Sequence, residues 1–369
     1  MDIEKYIIKG CDREPEYKLG KDLQKVRELS GKDELIRLGS NENPYGPSPK
    51  AVAALKKSAE TIQYYTEPSS RLLRQKLCEK LGNGITPDNL AISNGTTHLQ
   101  DAFTWSFLRP GDVMICYEPS FGYEYYANRT QTDAIVLELD PADYEVDLDA
   151  MYNAITDQTK IVWICNPDNP TGVAVNGDQL EAFIKKVPEH VIVVVDEAYL
   201  DFADEPAYRS MLPMIHDYNV VVMKTLSKMY GLGGARIGYA VARQELANII
   251  DSNIGVFAMT QSSLDAACAA LDDEEYVAMT HAGIAEGRKY LTEEFGKMGW
   301  KVYHSQSNFI YADAHMDAME LTDELCSYGI VIRGTFQFPR ITVGRMDQNR
   351  ALVAACREIM KKHGLLPDE

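Results

Sequence analysis

An α/β fold in two unequal parts is what this sequence predicts: a large domain with a mostly parallel seven-stranded sheet between helices, and a small α+β domain formed by both termini. Three observations carry the prediction. Seven short apolar runs recur between residues 90 and 241, with longer amphipathic segments between them. Several of these runs are β-branched throughout and do not alternate, the pattern of strands buried on both faces of a parallel sheet. The flanking regions differ, with helices set apart from a few short strands, as in an α+β unit. The large domain is accordingly assigned to residues 47–284, and the small one to 1–46 together with 285–369.

In chain order, a helix is expected over residues 21–29, followed by the loop NENPYGPSP at 41–49, which is dense in turn formers. The large sheet draws on runs at 90–93, 113–117, 134–139, 161–165, 191–195, 220–225 and 237–241. Helical patterns separate them, for example at 96–108 and 178–186, and strands alternating with helices favour parallel pairing. Then come a helix at 285–298, short strands at 301–303, 309–313, 330–333 and 340–343, and a final helix at 348–362.

Composition narrows the function. The 369 residues are 45% hydrophobic and 25% charged, a globular balance that excludes disordered, collagen-like and coiled-coil chains. A formal charge of −18 repels nucleic-acid phosphates and anionic membranes, so neither is an expected partner. The seven cysteines are scattered with no Cys-x-x-Cys pair, and they read as buried hydrophobes in a reducing compartment. The N-terminal stretch has no signal-peptide core, and the longest strand-like apolar run, 191–195, is too short to cross a bilayer. A soluble, cytoplasmic protein is the expectation. No complete G-x-G-x-x-G, Walker A, H-E-x-x-H or G-x-S-x-G pattern occurs, and the seven histidines are isolated, so no metal site is predicted.

Four motifs each follow a predicted strand, where ligands of α/β sheets bind: SNGTTH (93–98), NPDNPTG (166–172), DEAY (196–199) and TLSKMYGLGGAR (225–236). Each alone is weak, since an Asn-Pro pair is ordinarily a turn and a Ser-Lys pair a solvated surface. Together with LGSNENPYGPSP near the start and PRITVG near the end, they make the chain resemble the fold-type I pyridoxal-5′-phosphate (PLP) aminotransferases of class I/II, and within them the histidinol-phosphate branch.

The resemblance implies roles that the residue chemistry supports. Lys228 would form the Schiff base with PLP and then act as the proton-moving base. Asp196, emerging after five buried β-branched positions, would pair with the pyridine nitrogen and keep the ring an electron sink. Tyr199 and Asn169 would hydrogen-bond the ring oxygen, although Asn169 also suits a plain turn. Gly95, Thr96 and Thr97 open a helix whose free N–H groups face an anion, and Thr225, Ser227 and Arg236 would complete the phosphate cup. Phe121 occupies the ring-stacking position, with core packing as the other reading. Tyr65 would reach the cofactor phosphate of a partner subunit, which makes a homodimer with shared sites the expected assembly. Tyr64 competes for that role.

Arg340 suits bidentate capture of an α-carboxylate; the resemblance implies that in the histidinol-phosphate branch, whose substrate has none, its counterpart helps bind the phosphate, together with an arginine to which Arg333 corresponds. The family's N-terminal Pro-Tyr-x-Pro-Gly-Lys pattern stands here as Glu16-Tyr17-Lys18-Leu19-Gly20-Lys21, with Tyr17 a candidate to reach the substrate pocket. The segment between Arg333 and Arg340 is shorter than usual, which bears on specificity. The resemblance therefore implies transamination between an amino donor, foremost histidinol phosphate, and a 2-oxo acid, foremost 2-oxoglutarate. Alternatives are an aromatic amino-acid aminotransferase, suggested by Tyr123, Tyr125 and Tyr126, and a threonine-phosphate decarboxylase-like enzyme. Outside that class stands a non-catalytic PLP-fold binding module.

Overall fold

The computed structural model describes residues 20–366, so Tyr17 lies outside the described residues. A two-residue strand, Ile36–Arg37 (β1), comes first. The large sheet is built from Leu90–Ser93 (β2), Val113–Glu118 (β3), Asp133–Glu138 (β4), Thr159–Cys165 (β5), Ile192–Asp196 (β6), Val220–Thr225 (β7) and Gly238–Ala242 (β8). Lys301–Val302 (β9), Phe309–Asp313 (β10), Ile330–Val331 (β11) and Arg340–Thr342 (β12) follow. The seven runs expected from the sequence are the seven strands of the large sheet, in the order β2-β8-β7-β6-β5-β3-β4.

The uninterrupted apolar runs have a direct cause. Alternate residues of one strand enter two separate cores, because side chains along a strand point to opposite faces. Val162, Ile164, Val193, Val195 and Val222 join one core, while Ile161, Trp163, Val194, Val221 and Met223 join the other. Strands β5 to β8 are buried along almost their whole length, as helices cover both faces.

All neighbours pair in parallel except β8, which is antiparallel to β2 and to β7. This reversal positions the site. The chain enters β8 at the edge where the parallel strands end, and Gly238 lies opposite both Ser93 and Thr225. Arg236, just before β8, therefore arrives beside the turns that follow β2 and β7.

The remaining strands draw on both ends of the described chain. β1 pairs in parallel with β11, and β10 lies between β9 and β12 in an antiparallel sheet. β1 is not legible as a pattern, since two residues are too few to show a period. The strand expected at 330–333 stops at Val331, and Arg333 instead makes an isolated antiparallel bridge to Arg340. The helix expected at 285–298 spans Glu274–Lys297. Its buried residues Tyr276, Thr280, Ile284, Gly287 and Leu291 recur every three or four positions as one stripe. The boundary drawn between residues 284 and 285 thus falls inside one continuous helix. Among the described residues, no helix is long and apolar enough to cross a membrane.

A buried charge cluster ties β6 to β7 beneath the site. Lys224 Nζ lies 3.0 Å from Asp201 Oδ1 and 3.4 Å from Glu197 Oε2. Glu197 also accepts from the Ser210 hydroxyl at 2.6 Å and the Met211 N–H at 2.8 Å. Removing the cation would strand a fully buried carboxylate. Lys224→Met should therefore lower stability by about 3–5 kcal/mol, read from urea denaturation, and a second change, Glu197→Gln, should restore part of the loss.

Candidate active site

The ends of β2, β5, β6 and β7 open on one cleft. It is lined by Thr96, Thr97, Gln100, Phe121, Tyr123, Cys165, Asn169, Asp196, Ala198, Tyr199, Thr225, Ser227, Lys228 and Arg236. Most of these are singled out by the sequence; Gln100, Cys165 and Ala198 are given no role there, and Tyr123 only as part of an aromatic patch.

Asp196 is the last residue of β6 and is buried. Its Oδ2 accepts from Gln100 Nε2 at 3.1 Å and from the Tyr123 hydroxyl at 3.0 Å, and its Oδ1 accepts from the Ala198 N–H at 3.1 Å. Burial pushes the carboxyl up to about 6, against the opposing pull of these donors. Among the described residues it has no cationic partner, so a positively charged group in the cleft would hold it ionised.

Lys228 sits half-buried in the turn after β7. Its amine donates to the Ser40 carbonyl at 3.2 Å and lies 5.5 Å from the centre of the Tyr199 ring. Burial brings the amine down to about 7, assisted by the positive charges of Arg340 and Arg236 and opposed by Glu42. Such an amine is substantially neutral, and hence nucleophilic, near pH 7. Its backbone is clamped from the N-terminal loop, where Asn43 Nδ2 donates to the carbonyls of Lys228 (3.3 Å) and Met229 (2.9 Å). Gly231, at φ +66°, lets the same turn lie against the Gly46 carbonyl, where a Cβ would collide.

An anion cradle adjoins the lysine. The helix Thr96–Phe107 begins at Gly95, whose φ of +86° suits glycine, and no side chain caps its first N–H groups. A Cβ on Gly95 would strike the Arg236 guanidinium, so the missing side chain is what admits the arginine. The Thr225 hydroxyl oxygen accepts the Ser227 N–H at 3.1 Å and lies 3.0 Å from the Ser227 hydroxyl. Free helix N–H groups, hydroxyls and a guanidinium form a donor set that fits a phosphate monoester.

Tyr199 and Asn169 border the other side. Arg340 donates to Asn169 Oδ1 at 2.6 Å and to the Gly39 carbonyl at 2.8 Å, with the rings of Phe309 and Phe336 against its guanidinium. Because Oδ1 of Asn169 is taken by the arginine, its Nδ2 is the group left to serve as a donor. Burial raises the Tyr199 hydroxyl to about 12, so it stays protonated at neutral pH. Arg333 is directly opposite Arg340 across their bridge, and its Nε donates to Thr335 Oγ1 at 3.1 Å. Two guanidinium side chains on facing positions repel one another and favour an anion between or beside them.

The other expected residues stand apart. Phe121 is at the cleft rim, 40% exposed and 5.9 Å from Tyr123 between ring centres. Tyr65 is 87% exposed and packs on Phe257 at 5.0 Å, away from the cleft of its own chain. Of the aromatic trio, Tyr123 and Tyr126 are buried and stack on Trp163. Gln100 was legible in principle: it lies four residues after Thr96 on one helix, hence on the same face.

Fold and cleft together describe an α/β enzyme site whose donors fit a phosphorylated ligand. The family model for aminotransferase class I and II matches residues 33–356, and the chain belongs to that family. The histidinol-phosphate aminotransferase of Brevibacillus brevis is 38% identical over 352 residues, covering 94% of this chain and 96% of its own. That of Moorella thermoacetica is 36% identical, covering 93% and 90%. Among solved structures, the histidinol-phosphate aminotransferase of Sinorhizobium meliloti in complex with pyridoxal-5′-phosphate superposes with a TM-score of 0.85 at 26% identity, covering 94% of this chain and 96% of that one. The aspartate aminotransferase of Thermotoga maritima shares the fold, with a TM-score of 0.81 at 19% identity and coverage of 92% and 95%.

The lowered Lys228 amine has a consequence for stability. Below about pH 7 both folded and unfolded chains hold its proton, and the confined charge destabilises the fold in full. Between about 7 and 10.5 the folded amine is neutral while the unfolded one still binds a proton, so stability rises with pH. Without cofactor, Lys228→Met should melt at a higher temperature than the parent, by the widest margin in acid, and the margin should shrink as pH rises through that window.

Proposed function

We propose that this chain transfers the amino group of histidinol phosphate to 2-oxoglutarate with pyridoxal phosphate as cofactor. The observation that carries the substrate is the Arg333–Arg340 pair, which presents two guanidinium groups on facing positions next to Asn169. Histidinol phosphate has no α-carboxylate, so both arginines would be directed at its phosphate. The near full-length similarity to histidinol-phosphate aminotransferases supports this reading. Burial of Tyr123 and Tyr126 against Trp163 takes away the aromatic patch that favoured an aromatic substrate.

The residues present fit the cofactor. Gly95, Thr96, Thr97, Thr225, Ser227 and Arg236 would hold its phosphate, Asp196 its ring nitrogen, and Tyr199 and Asn169 its ring oxygen, with Phe121 against its face. When bound, pyridoxal phosphate supplies a ring that withdraws electrons from the carbon bearing the amino group. Asp196, fixed by three donors, keeps that ring cationic by ion pairing. Lys228 would hold the cofactor covalently through its amine. Its amine, when free, would be the group that holds and moves the substrate Cα proton. A pKa near 7 suits both directions of that transfer. Arg340 and Arg333 orient the substrate so that the Cα–H bond faces the lysine.

The proposed assembly is a homodimer with shared sites. Tyr65 (87% exposed) packs on Phe257, beside Val256 (77%), and such exposed apolar side chains in contact are of the kind that marks a protein interface. Tyr65 would serve the partner's cofactor phosphate from that surface.

Offering purified protein histidinol phosphate, phenylalanine and phosphothreonine in turn, and following the cofactor absorbance, tests the substrate. Histidinol phosphate should give the fastest amino-group delivery; silence with it alone would overturn the assignment within an intact aminotransferase. Lys228→Ala should abolish turnover and leave the circular dichroism spectrum unchanged. Arg340→Ala should raise KM for histidinol phosphate by about 10- to 100-fold, the effect of losing hydrogen bonds to a charged group, with cofactor retention little altered.

A further inference from the structure

The loop containing NENPYG is the one sequence motif that the mechanism leaves without a task, and its first asparagine is unusual. Asn41 is 1% exposed and holds a left-handed backbone at φ +54°. Asparagine tolerates that region better than most residues, but a buried example needs local contacts to hold it. The contacts are specific. The Asn41 N–H donates to Thr342 Oγ1 at 2.9 Å, and the Thr342 hydroxyl donates back to Asn41 Oδ1 at 3.1 Å. Asn308 Nδ2 donates to the Asn41 carbonyl at 3.1 Å. With Oδ1 occupied as an acceptor, the amide is fixed one way round, and Asn41 Nδ2 donates to the Tyr199 hydroxyl oxygen at 3.2 Å.

The direction of that last bond matters. A phenol has one proton, and a hydroxyl that accepts from an amide N–H keeps its own proton for another acceptor. Tyr199 lines the cleft, and among the described residues no oxygen takes its proton. Its ring cannot swing away, since Phe309 packs edge-on against it with centroids 5.0 Å apart at 89°. We propose that Asn41 and Thr342 are positioning residues: they polarise the Tyr199 hydroxyl so that it is a hydrogen-bond donor into the cleft. This rests on the reading above, in which Tyr199 serves the cofactor's ring oxygen, and adds what makes the phenol a donor there.

The test uses protein loaded with pyridoxal phosphate and reads the pH midpoint at which the visible absorbance of the Lys228-linked cofactor changes. A donor to the ring oxygen stabilises its negative charge and so lowers the midpoint. Tyr199→Phe should raise it by about one to two pH units, the scale of one hydrogen bond to a charged group. Asn41→Asp has nearly the same shape but no N–H, so its carboxylate would accept the phenol proton and turn it out of the cleft. It should raise the midpoint by a comparable amount, and should add nothing in the Tyr199→Phe background. If Asn41→Asp proves unstable, Asn41→Gly keeps the left-handed backbone without the amide. It should raise the midpoint by less than Tyr199→Phe, and again only when the phenol is present. Additive shifts, or Asn41 variants that leave the midpoint in place while Tyr199→Phe moves it, would overturn the positioning role alone. An unmoved midpoint in Tyr199→Phe would remove Tyr199 from the ring oxygen and take the proposal with it.

Discussion

Asp196 holds a carboxylate where the surroundings disfavour its charge. It closes a strand whose other residues are apolar, and its three donors, Gln100, Tyr123 and the Ala198 N–H, offset burial only in part. A group in that state is stabilised by a cation, and Asp196 lines the cleft that could admit one. The rest of the site follows from this demand. Lys228, likewise disfavoured as an ion, lines the same cleft from the turn after β7, the strand paired with β6. Perturbed titrating groups gathered in one cleft are the usual mark of chemistry, since each shift opposes stability unless a ligand relieves it.

The sheet topology explains why the phosphate cradle is complete. In a fully parallel sheet, one edge would offer only strand ends followed by helices. Reversal of β8 inserts a strand entrance among those ends, so Arg236 reaches Gly95 from a chain segment far away in sequence. Neither half binds an anion well alone. A helix N-terminus supplies dipoles and N–H groups, while the arginine supplies a full charge and directed bonds.

Much of this was legible because the signals were local. A β-branched run longer than its turns identifies a buried strand, and a motif at its end identifies a site edge, so the seven strands of the large sheet and the residues around Lys228 could be placed from sequence alone. What stayed hidden depends on distant contact. β1 has no period of its own and exists through pairing with β11. Tyr123 looked like part of an aromatic surface, yet its role is set by a hydroxyl meeting a carboxylate 73 residues away. The helix Glu274–Lys297 reads from the sequence only from residue 285 onward, whereas burial runs along its whole length as one stripe.

One short strand organises the donors around the cleft. Residues 340 and 342 of β12 point to the same face, being two apart. From that face Arg340 occupies Asn169 Oδ1, and Thr342 occupies Asn41 Oδ1. Each contact turns an amide so that its N–H groups face outward from the strand, one directly toward the cleft and the other toward Tyr199. The group proposed to meet the substrate anion and the group proposed to set the phenol's polarity are therefore neighbours on one rigid element. A displacement of β12 would disturb anion capture and ring-oxygen hydrogen bonding together. That coupling gives a physical reason for stitching the N-terminal loop to this strand, through the Thr342 N–H to the Leu38 carbonyl at 2.8 Å, rather than leaving it as a surface turn.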